Sequence, residues 1–453
     1  MISVSLEALA GQTNGNLLGD SVPLQGLAID SRKVMRGDLF AAIQGRHVDG
    51  HDYANQAMAA GAAGLVTERS LEGLTPQLVV QDVVAATGSF GLLKRRAFSG
   101  EVIAVTGSAG KTTTKNLMAA ALGVAGQVHA TSGNQNNELG VPLTLAGLSE
   151  AHAYAVIEMG AGQPGDIAYL CTIAEPTVAI CLNASAAHLA HYDSVDAIAA
   201  TKGEIFAGLA PQGLAVMNAD QSWLPQWQAQ AQGRRQITFG LTAGADYRAT
   251  DIQYRGFSGT TFRLTGPGIA QTVTLKLPGQ QHVMNALAAL AVAFEIGVDA
   301  ASAVAAVGRV ESEQGRGALS RRPGGGRVVD DTYNANPAAV RAAIDILARE
   351  TGYRVLILGA MLELGDTSDA LHHEVGRYAR AMGIDQVLAV GAEAKPAAEG
   401  FGGGALFYPD QTALQAEFPV LPEDHIVWVK ASRGAALEKT SRWLTHSGED
   451  ARC

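Results

Sequence analysis

Residues 102–114 read VIAVTGSAGKTTT, an apolar run followed by a glycine-rich turn, a lysine and three threonines. The apolar run predicts a buried β-strand, and residues 115–122 have the pattern of a helix. A strand that enters a helix through such a turn points successive backbone N–H groups inward, and the helix N-terminus adds partial positive charge. The segment therefore predicts a polyphosphate-binding loop within a fold in which strands and helices alternate.

The side chains of this loop match the chemistry of a bound nucleotide. Lys111 can reach the β- and γ-phosphates, and the hydroxyl of Thr112 or Thr113 is the natural ligand for a phosphate-bound Mg²⁺. Val105 stands where the general GxxxxGK[ST] pattern has its first glycine, which leaves the shorter TGxxGKT. A glycine-rich turn with no ligand is the structural alternative. The remaining predicted nucleotide contacts in the loop are Gly107, Ser108, Ala109 and Gly110.

Bulk composition restricts the class of protein. The net charge of -10, without a basic stripe, argues against a nucleic-acid partner. The three cysteines lack metal-ligand spacing, which is typical of a reducing compartment. The N-terminal MISVSLEALAG lacks the features of a signal peptide, and the apolar run 286–294 is about half the ~20 residues of a membrane span. We therefore expect a cytoplasmic protein with no membrane span.

Strand and helix patterns divide the 453 residues into three predicted α/β domains. Residues 1–84 form a small N-terminal domain. Residues 85–314 form a central phosphate-loop ATPase domain with a parallel sheet, in which the period-two alternation of residues 247–277 predicts antiparallel hairpins. Residues 315–453 form a Rossmann-like C-terminal domain. Further helices are predicted at 53–60, 83–98, 282–296 and 301–310. We expect the sites to lie in the clefts between domains.

Three polar residues downstream are candidates for metal binding or catalysis. Glu158 ends the next predicted strand, where a carboxylate would face the phosphate loop and could bind Mg²⁺. His188 and Lys202 follow a later strand that ends in Asn183. Taken alone, each has an ordinary structural interpretation: a solvated turn carboxylate, a structural histidine and a solvated helix lysine.

Short motifs along most of the chain, in a consistent order and spacing, resemble the ATP-dependent Mur ligases. The last three of them resemble the members that join D-alanyl-D-alanine to UDP-N-acetylmuramoyl-tripeptide. The motifs are DSRKVMRGDLF (30–40), TGSAGKT (106–112), GNQNNELGVP (133–142), EMG (158–160), NASAAHL (183–189), TKGEIF (201–206), NALAA (285–289), DDTYNANP (330–337), GAMLELG (359–365) and KASRGAALE (430–438).

The resemblance implies an enzyme that forms a C–N bond through an acyl phosphate in peptidoglycan synthesis. Its ligands would be ATP, two Mg²⁺ ions, the UDP-tripeptide and the dipeptide. Lys111, Lys202, His188 and Glu158 match catalytic positions, with a carbamate on Lys202. Thr112, Glu158, His188 and Lys202 match metal positions. Asn285, Arg316 and Asp331 match residues that contact adenine, phosphate and ribose.

The resemblance also assigns substrate contacts. Asp30, Ser31 and Arg32 would hold the UDP end of the acceptor, and Asn334 and Asn336 would contact substrate in the last domain. The chain departs from the family pattern GxHNxxN, since GQQHVMN places Gln281 and His282 at the usual His and Asn positions. His282 is therefore not assigned a role. We expect a monomer.

Two alternative functions remain open from the sequence. A sibling ligase would add a single amino acid to a UDP-muramoyl acceptor, or glutamate to a folate. A protein of another class would use ATP only to change its conformation. A guanine-reading Asn-Lys-x-Asp segment is absent from the sequence, which argues against a regulatory GTPase.

Overall fold

The computed structural model of the chain describes residues 2–185, 192–323 and 325–446. Its first part is a small α/β unit with a five-stranded sheet in the order β2-β7-β6-β5-β4 and a short β1-β3 pair. The helices are α1 (Leu6–Thr13), α2 (Ala54–Ala60) and α3 (Val83–Ala97), and the strands are β1 (Val4–Ser5), β2 (Asn16–Leu18), β3 (Pro23–Leu24), β4 (Gly26–Ala28), β5 (Asp38–Ala41), β6 (Gly64–Thr67) and β7 (Gln77–Val79).

The central part contains a nine-stranded sheet in the order β16-β15-β14-β13-β12-β11-β8-β10-β9. Its strands are β8 (Glu101–Thr106), β9 (Gln127–Ala130), β10 (His152–Glu158), β11 (Val178–Cys181), β12 (Leu214–Asn218), β13 (Arg235–Gly240), β14 (Tyr247–Tyr254), β15 (Thr260–Gly266) and β16 (Ile269–Leu275). Its helices are α4 (Lys111–Leu122), α5 (Gly140–Ala146), α6 (Asp166–Ala174), α7 (Val195–Ala207), α8 (Leu224–Gln230), α9 (Gln280–Glu295) and α10 (Ala300–Val307).

The strand directions of this sheet agree with the sequence patterns. β8 to β14 pair in parallel, and β14, β15 and β16 pair antiparallel, as the period-two alternation predicts. Two separate apolar clusters cover the parallel part, one packed with α4 and α9 and the other with α6 and α7. A sheet buried on both faces explains why β8, β10 and β11 read as continuous apolar runs.

The last part contains a six-stranded sheet in the order β17-β18-β22-β19-β20-β21, parallel except for β17. The strands are β17 (Ala318–Arg321), β18 (Arg327–Asp331), β19 (Tyr353–Leu358), β20 (Gln386–Val390), β21 (Ala405–Tyr408) and β22 (His425–Lys430). The helices are α11 (Pro337–Leu347), α12 (Ser368–Ala381), α13 (Lys395–Phe401), α14 (Gln411–Ala416) and α15 (Glu438–His446).

The predicted α/β class is therefore confirmed, and the observed helix boundaries differ by a few residues. The helix after the phosphate loop begins at Lys111 instead of the predicted 115, because Gly110 lies in the left-handed region and starts the first turn directly. Helix α1 was not predicted. Cys171 and Cys181 are buried and free. Among the described residues, no helix is long and apolar enough to cross a membrane.

Candidate functional site

The predicted phosphate loop joins β8 to α4. Residues 107–110 form the turn, and Gly110 has a φ of 84°. A Cβ on Gly110 would lie 2.5 Å from Asn285 Oδ1 on α9. Glycine is therefore required there for both its backbone conformation and the close approach. The N–H groups in the first turn of α4 have no partner within the helix, so they form the natural anion site at its N-terminus.

Asn183, just after β11, holds the phosphate loop in shape. Its side-chain oxygen accepts a hydrogen bond from the N–H of Ala109 at 2.9 Å, and its side-chain nitrogen donates to the carbonyl of Ala109 at 3.1 Å. Its backbone carbonyl accepts from the N–H of Ser108 at 3.1 Å. Two backbone donors of the loop are thus occupied by Asn183. The donors left for phosphate begin at Gly110.

Lys111 lies at the start of α4, next to the turn. Its Nζ donates to the carbonyl of Gly107 at 2.8 Å. Burial lowers the pKa of Lys111, while the negative charge of Glu158 opposes that shift and the positive charge of Arg316 adds to it. A polyphosphate bound at the loop would add negative charge beside both Lys111 and Arg316.

Glu158, at the end of β10, and Thr112, in the first turn of α4, form a buried pair. The Thr112 hydroxyl donates to one carboxylate oxygen of Glu158 at 2.8 Å, and the side-chain amide of Asn136 donates to the other at 2.8 Å. Thr112 is 4% exposed and Glu158 is 2% exposed. A hydroxyl and a carboxylate beside a phosphate loop are a suitable donor set for Mg²⁺, which takes its remaining ligands from phosphate and water. Within the described ranges, no group of three or more His, Cys, Asp or Glu residues forms a metal cluster.

Lys202, on α7, is 4% exposed, so it is not a solvated surface lysine. Burial, together with the positive charge of Lys111, lowers the pKa of Lys202 to about 7. In the part of the chain that the structure describes, no hydrogen bond or ion pair engages its Nζ. A buried amine that is neutral in about half of the molecules at pH 7 is reactive toward electrophiles. The predicted metal ligand His188 lies outside the described residues.

Facing the phosphate loop are α9, the segment before β17 and the six-stranded sheet of the last part of the chain. Asp331, at the end of β18, accepts hydrogen bonds from Lys430 Nζ at 2.7 Å and from the Trp428 indole at 3.2 Å. β18 and β22 pair so that Asp331 lies opposite Lys430 in the ladder. His282, in the first turn of α9, has a buried Nδ1 without a partner among the described residues, and burial lowers the pKa of His282 to about 4. Its ring is therefore neutral at physiological pH.

These groups line one cavity of about 880 Å³ between the central and last parts of the chain. Most of the residues predicted from the sequence are brought together there. They are Ser108, Ala109, Gly110, Lys111, Thr112, Thr113, Glu158, Lys202, Asn285, Arg316, Asp331, Asn334 and Asn336.

The residues of the first domain that are predicted to bind the UDP end of the acceptor substrate do not line this cavity. Arg32 donates to both carboxylate oxygens of Asp30, at 2.9 and 2.8 Å, and the Ser31 hydroxyl donates to Gln56 at 3.0 Å. Asp30 also accepts from the N–H of Arg32 and so begins the short 3-10 turn over residues 31–33. Their role in binding the UDP end stays a prediction.

The two predicted asparagines of the last domain differ in their surroundings. Asn336 is buried, and its side-chain oxygen accepts from the N–H of Ala339, which caps α11. Asn334 is exposed, and its carbonyl accepts from Lys430 Nζ at 3.0 Å. Asn334 therefore presents its side chain to the cavity more freely than Asn336 does.

Sequence reasoning missed several cavity residues. Asn136, Lys430 and Tyr333 lie inside quoted motifs, but nothing in their local pattern indicates which of them face the site. Trp428 lies in a strand that reads simply as an apolar run. Only the contacts across the cavity show their positions, because those contacts join segments far apart in sequence.

The fold and the cavity together define a phosphate-loop nucleotide-binding protein whose site is closed by a second α/β domain. Three domain families match the chain. The Mur ligase family catalytic domain matches residues 23–88, the Mur ligase middle domain 105–293, and the Mur ligase glutamate ligase domain 315–433. The chain belongs to the Mur ligase family, whose members are ATP-dependent ligases.

Relatives extend over the full length. The UDP-N-acetylmuramoyl-tripeptide–D-alanyl-D-alanine ligase of Escherichia coli (strain K12) is 39% identical over 453 residues, which cover 99% of this chain and 100% of the relative. The ligase of the same name from Bacillus subtilis (strain 168) is 32% identical, with 99% of each chain covered.

Solved structures are similar over nearly the whole chain as well. A crystal structure of MurF from Acinetobacter baumannii has a TM-score of 0.90 at 32% identity and covers 98% of this chain and 99% of that one. MurF ligase from Thermotoga maritima, in complex with ADP, has a TM-score of 0.82 at 30% identity and covers 95% and 99%.

Proposed function

We propose that this chain uses ATP to join D-alanyl-D-alanine to UDP-N-acetylmuramoyl-tripeptide, in the cytoplasm and as a monomer. The observation that carries the proposal is the cavity in which Lys111, Thr112 and Glu158 of the central part face Asp331 and Lys430 of the last part. ATP-dependent amide formation requires the phosphate donor, the carboxylic acid and the amine to meet in one place. The full-length relatives carry the name of this reaction.

We assign the three steps of substrate binding to three domains. Residues 1–84 bind the UDP end of the acceptor through Asp30, Ser31 and Arg32. Residues 85–314 bind ATP, and residues 315–453 close over it and receive the dipeptide near Asn334 and Asn336. Each of the three large sheets begins and ends within one of these ranges, which supports the division.

The peptide carboxylate is a poor electrophile, so it must be converted to an acyl phosphate before an amine can attack it. Two anions have to approach each other in that step. Lys111 and the first-turn N–H groups of α4 stabilise the phosphate charge, and Arg316 adds a second cation to the same region. Thr112 and Glu158 would hold Mg²⁺, which when bound neutralises phosphate charge.

Lys202 supplies the second part of the proposal. Its neutral amine would attack CO₂ to form an N–C bond and then lose a proton, which gives a carbamate anion. That anion, with His188, would hold the second Mg²⁺. The burial and lowered pKa of Lys202 support this role, because an ordinary lysine is almost entirely protonated at neutral pH and does not react with CO₂. A buried anion beside Lys111 would also relieve the repulsion between the two amines.

Closure of the last domain excludes water from the acyl phosphate, which would otherwise hydrolyse. The Asp331–Lys430 pair lies on the cavity wall that the last domain forms, so it fixes the part of that wall that would contact the nucleotide.

The test is a coupled assay of ADP release with the purified chain. We expect release only when UDP-tripeptide and D-alanyl-D-alanine are both present, together with a product of the mass of the UDP-pentapeptide. ADP release with a single amino acid in place of the dipeptide would favour a sibling ligase. ADP release that needs neither substrate would favour an ATP-driven conformational change. Lys111→Ala is the matched inactive control.

A further inference from the structure

Tyr333 lies on the cavity wall with its ring stacked against the guanidinium of Arg316. The Arg316 Cζ is 3.7 Å from the centre of the ring, a distance typical of a close cation–π contact. Arg316 lies just before β17 and Tyr333 just after β18, so both belong to the last domain. Both side chains line the cavity. The stacked pair therefore lies where the last domain lines the nucleotide site.

A chain of contacts connects Arg316 to the phosphate loop. Glu313 lies 3.8 Å from the Arg316 guanidinium, and its carboxylate accepts a hydrogen bond from Asn116 on α4 at 2.5 Å. The charge of Arg316 also contributes to the lowered pKa of both Lys111 and Lys115, which places the guanidinium among the cations of the loop. Lys111 and Lys115 repel a cation in that position and Glu313 attracts it from one side, so a second contact is needed to fix the orientation of the guanidinium.

The ring of Tyr333 meets this need without using the donors of Arg316. Stacking engages the face of the planar guanidinium and leaves its five N–H groups directed outward from the edge. No hydrogen bond between described residues uses these N–H groups. The Tyr333 hydroxyl likewise has no hydrogen bond to any described residue. The ring itself, and not its hydroxyl, is therefore the part of Tyr333 that acts on Arg316.

We propose that Tyr333 is a positioning residue that holds the Arg316 guanidinium edge-on to the nucleotide phosphates. The proposal rests on the proposed use of ATP at this cavity and adds a residue to it. A second arginine, Arg433 in the 3-10 turn after β22, lies 5.6 Å from the same ring. The Arg433 contact is longer, so we assign the positioning effect to Arg316.

The test compares Tyr333→Phe with Tyr333→Leu, each in the wild-type and Arg316→Ala backgrounds, by titrating ATP in the absence of the other substrates. The Phe variant keeps the ring, and we expect its Kd for ATP to stay within about twofold of wild type. The Leu variant loses the cation–π contact, and we expect its Kd to rise about 3- to 30-fold. In the Arg316→Ala background the Leu substitution should add almost nothing, because the group that it positions is gone.

Three further measurements separate this role from loss of structure. Thermal melting of each variant checks that it is folded. The KM for UDP-tripeptide should be unchanged in Tyr333→Leu, and Tyr333→Leu should still weaken ATP binding in an Arg433→Ala background. An equal loss with and without Arg316, or an equal loss for Phe and Leu, would overturn the positioning role. Absence of ATP binding to the wild-type chain would instead overturn the proposed function.

Discussion

Replacement of Lys202 by alanine is the change that best separates a structural lysine from a carbamylated one. An exposed lysine with a pKa of 10.5 is neutral in about 0.1% of molecules at pH 7.5, whereas a pKa of about 7 makes roughly three quarters of the molecules neutral. Burial thus raises the reactive fraction by roughly 700-fold. We expect the extent of carbamylation to increase with the fraction of molecules in which the Lys202 amine is neutral.

The assay is ADP release in sealed, CO₂-depleted buffer, with and without added bicarbonate. We expect the wild-type rate to fall on depletion and to recover with bicarbonate. The requirement for CO₂ should become stronger as pH falls below 7, because protonation of the amine then competes with carbamylation. Lys202→Ala should lose activity by about 100-fold or more and keep its stability, because Nζ has no bonded partner among the described residues.

Small carboxylic acids provide the control for the charge that is lost. Formate or acetate fits the space left by Lys202→Ala and supplies oxygen ligands, so we expect partial recovery of activity there. We expect no recovery in Lys111→Ala, which has lost a cation. Lys202→Arg, a permanent cation, should also be inactive. The reasoning would be refuted if CO₂ depletion at pH 6.5 left the wild-type rate unchanged and neither acid restored activity to Lys202→Ala.

Four other changes test separate parts of the molecule. Lys111→Ala should abolish turnover with an unchanged circular dichroism spectrum, and a wild-type kcat would contradict the phosphate-loop assignment. Glu158→Gln should raise the Mg²⁺ concentration for half-maximal activity by about tenfold or more, measured by Mg²⁺ titration of ADP release. The double change Ser31→Ala and Arg32→Ala should weaken calorimetric binding of UDP-tripeptide and leave the Kd for ATP unaltered; undiminished binding would argue against the first-domain assignment. Lys94→Met removes a fully buried amine that donates to two backbone carbonyls, and we expect a loss of about 2–3 kcal/mol in urea unfolding. Burial lowers the pKa of Lys94 to about 8. Between about pH 8 and 10.5 the unfolded chain therefore binds more protons than the folded chain at this residue, so Lys94 makes the free energy of unfolding rise with pH. The Lys94→Met variant should lack that rise.

The sequence predicts the local features of this fold well where one face or both faces of an element are buried. β8 reads as an apolar run because apolar clusters cover both of its faces, and β15 alternates because one of its faces is exposed. Helix α1 was not predicted because only Leu6 and Leu9 of its eight residues are buried, which leaves little hydrophobic pattern to detect. Its stability comes from those two contacts and from the caps at Ser5 and Asn14, which a hydrophobic pattern does not reveal.

Local sequence patterns predict only one wall of the candidate site, and residues of the opposite wall were predicted through the family resemblance alone. The phosphate loop and Glu158 follow strands whose order along the chain already indicates a common sheet edge. Asp331 and Lys430 are 99 residues apart and meet because β18 and β22 are neighbours, which depends on strand order rather than on local sequence. The stacking of Arg316 on Tyr333 likewise depends on strand pairing, because hydrogen bonds next to the β17–β18 pair bring residues 315–317 beside residues 330–333.

The three hydrogen bonds from Asn183 to the phosphate loop have a consequence for how fast and how tightly nucleotide binds. The backbone bond to Ser108 continues the ladder between β11 and β8 past the end of both strands, and the two side-chain bonds fix Ala109 against the same residue. A loop that is held in one shape before the ligand arrives loses little conformational entropy on binding. The energy of each new phosphate contact therefore contributes directly to affinity, and association is limited by the approach of the nucleotide and by the movement of the last domain instead of by rearrangement of the loop.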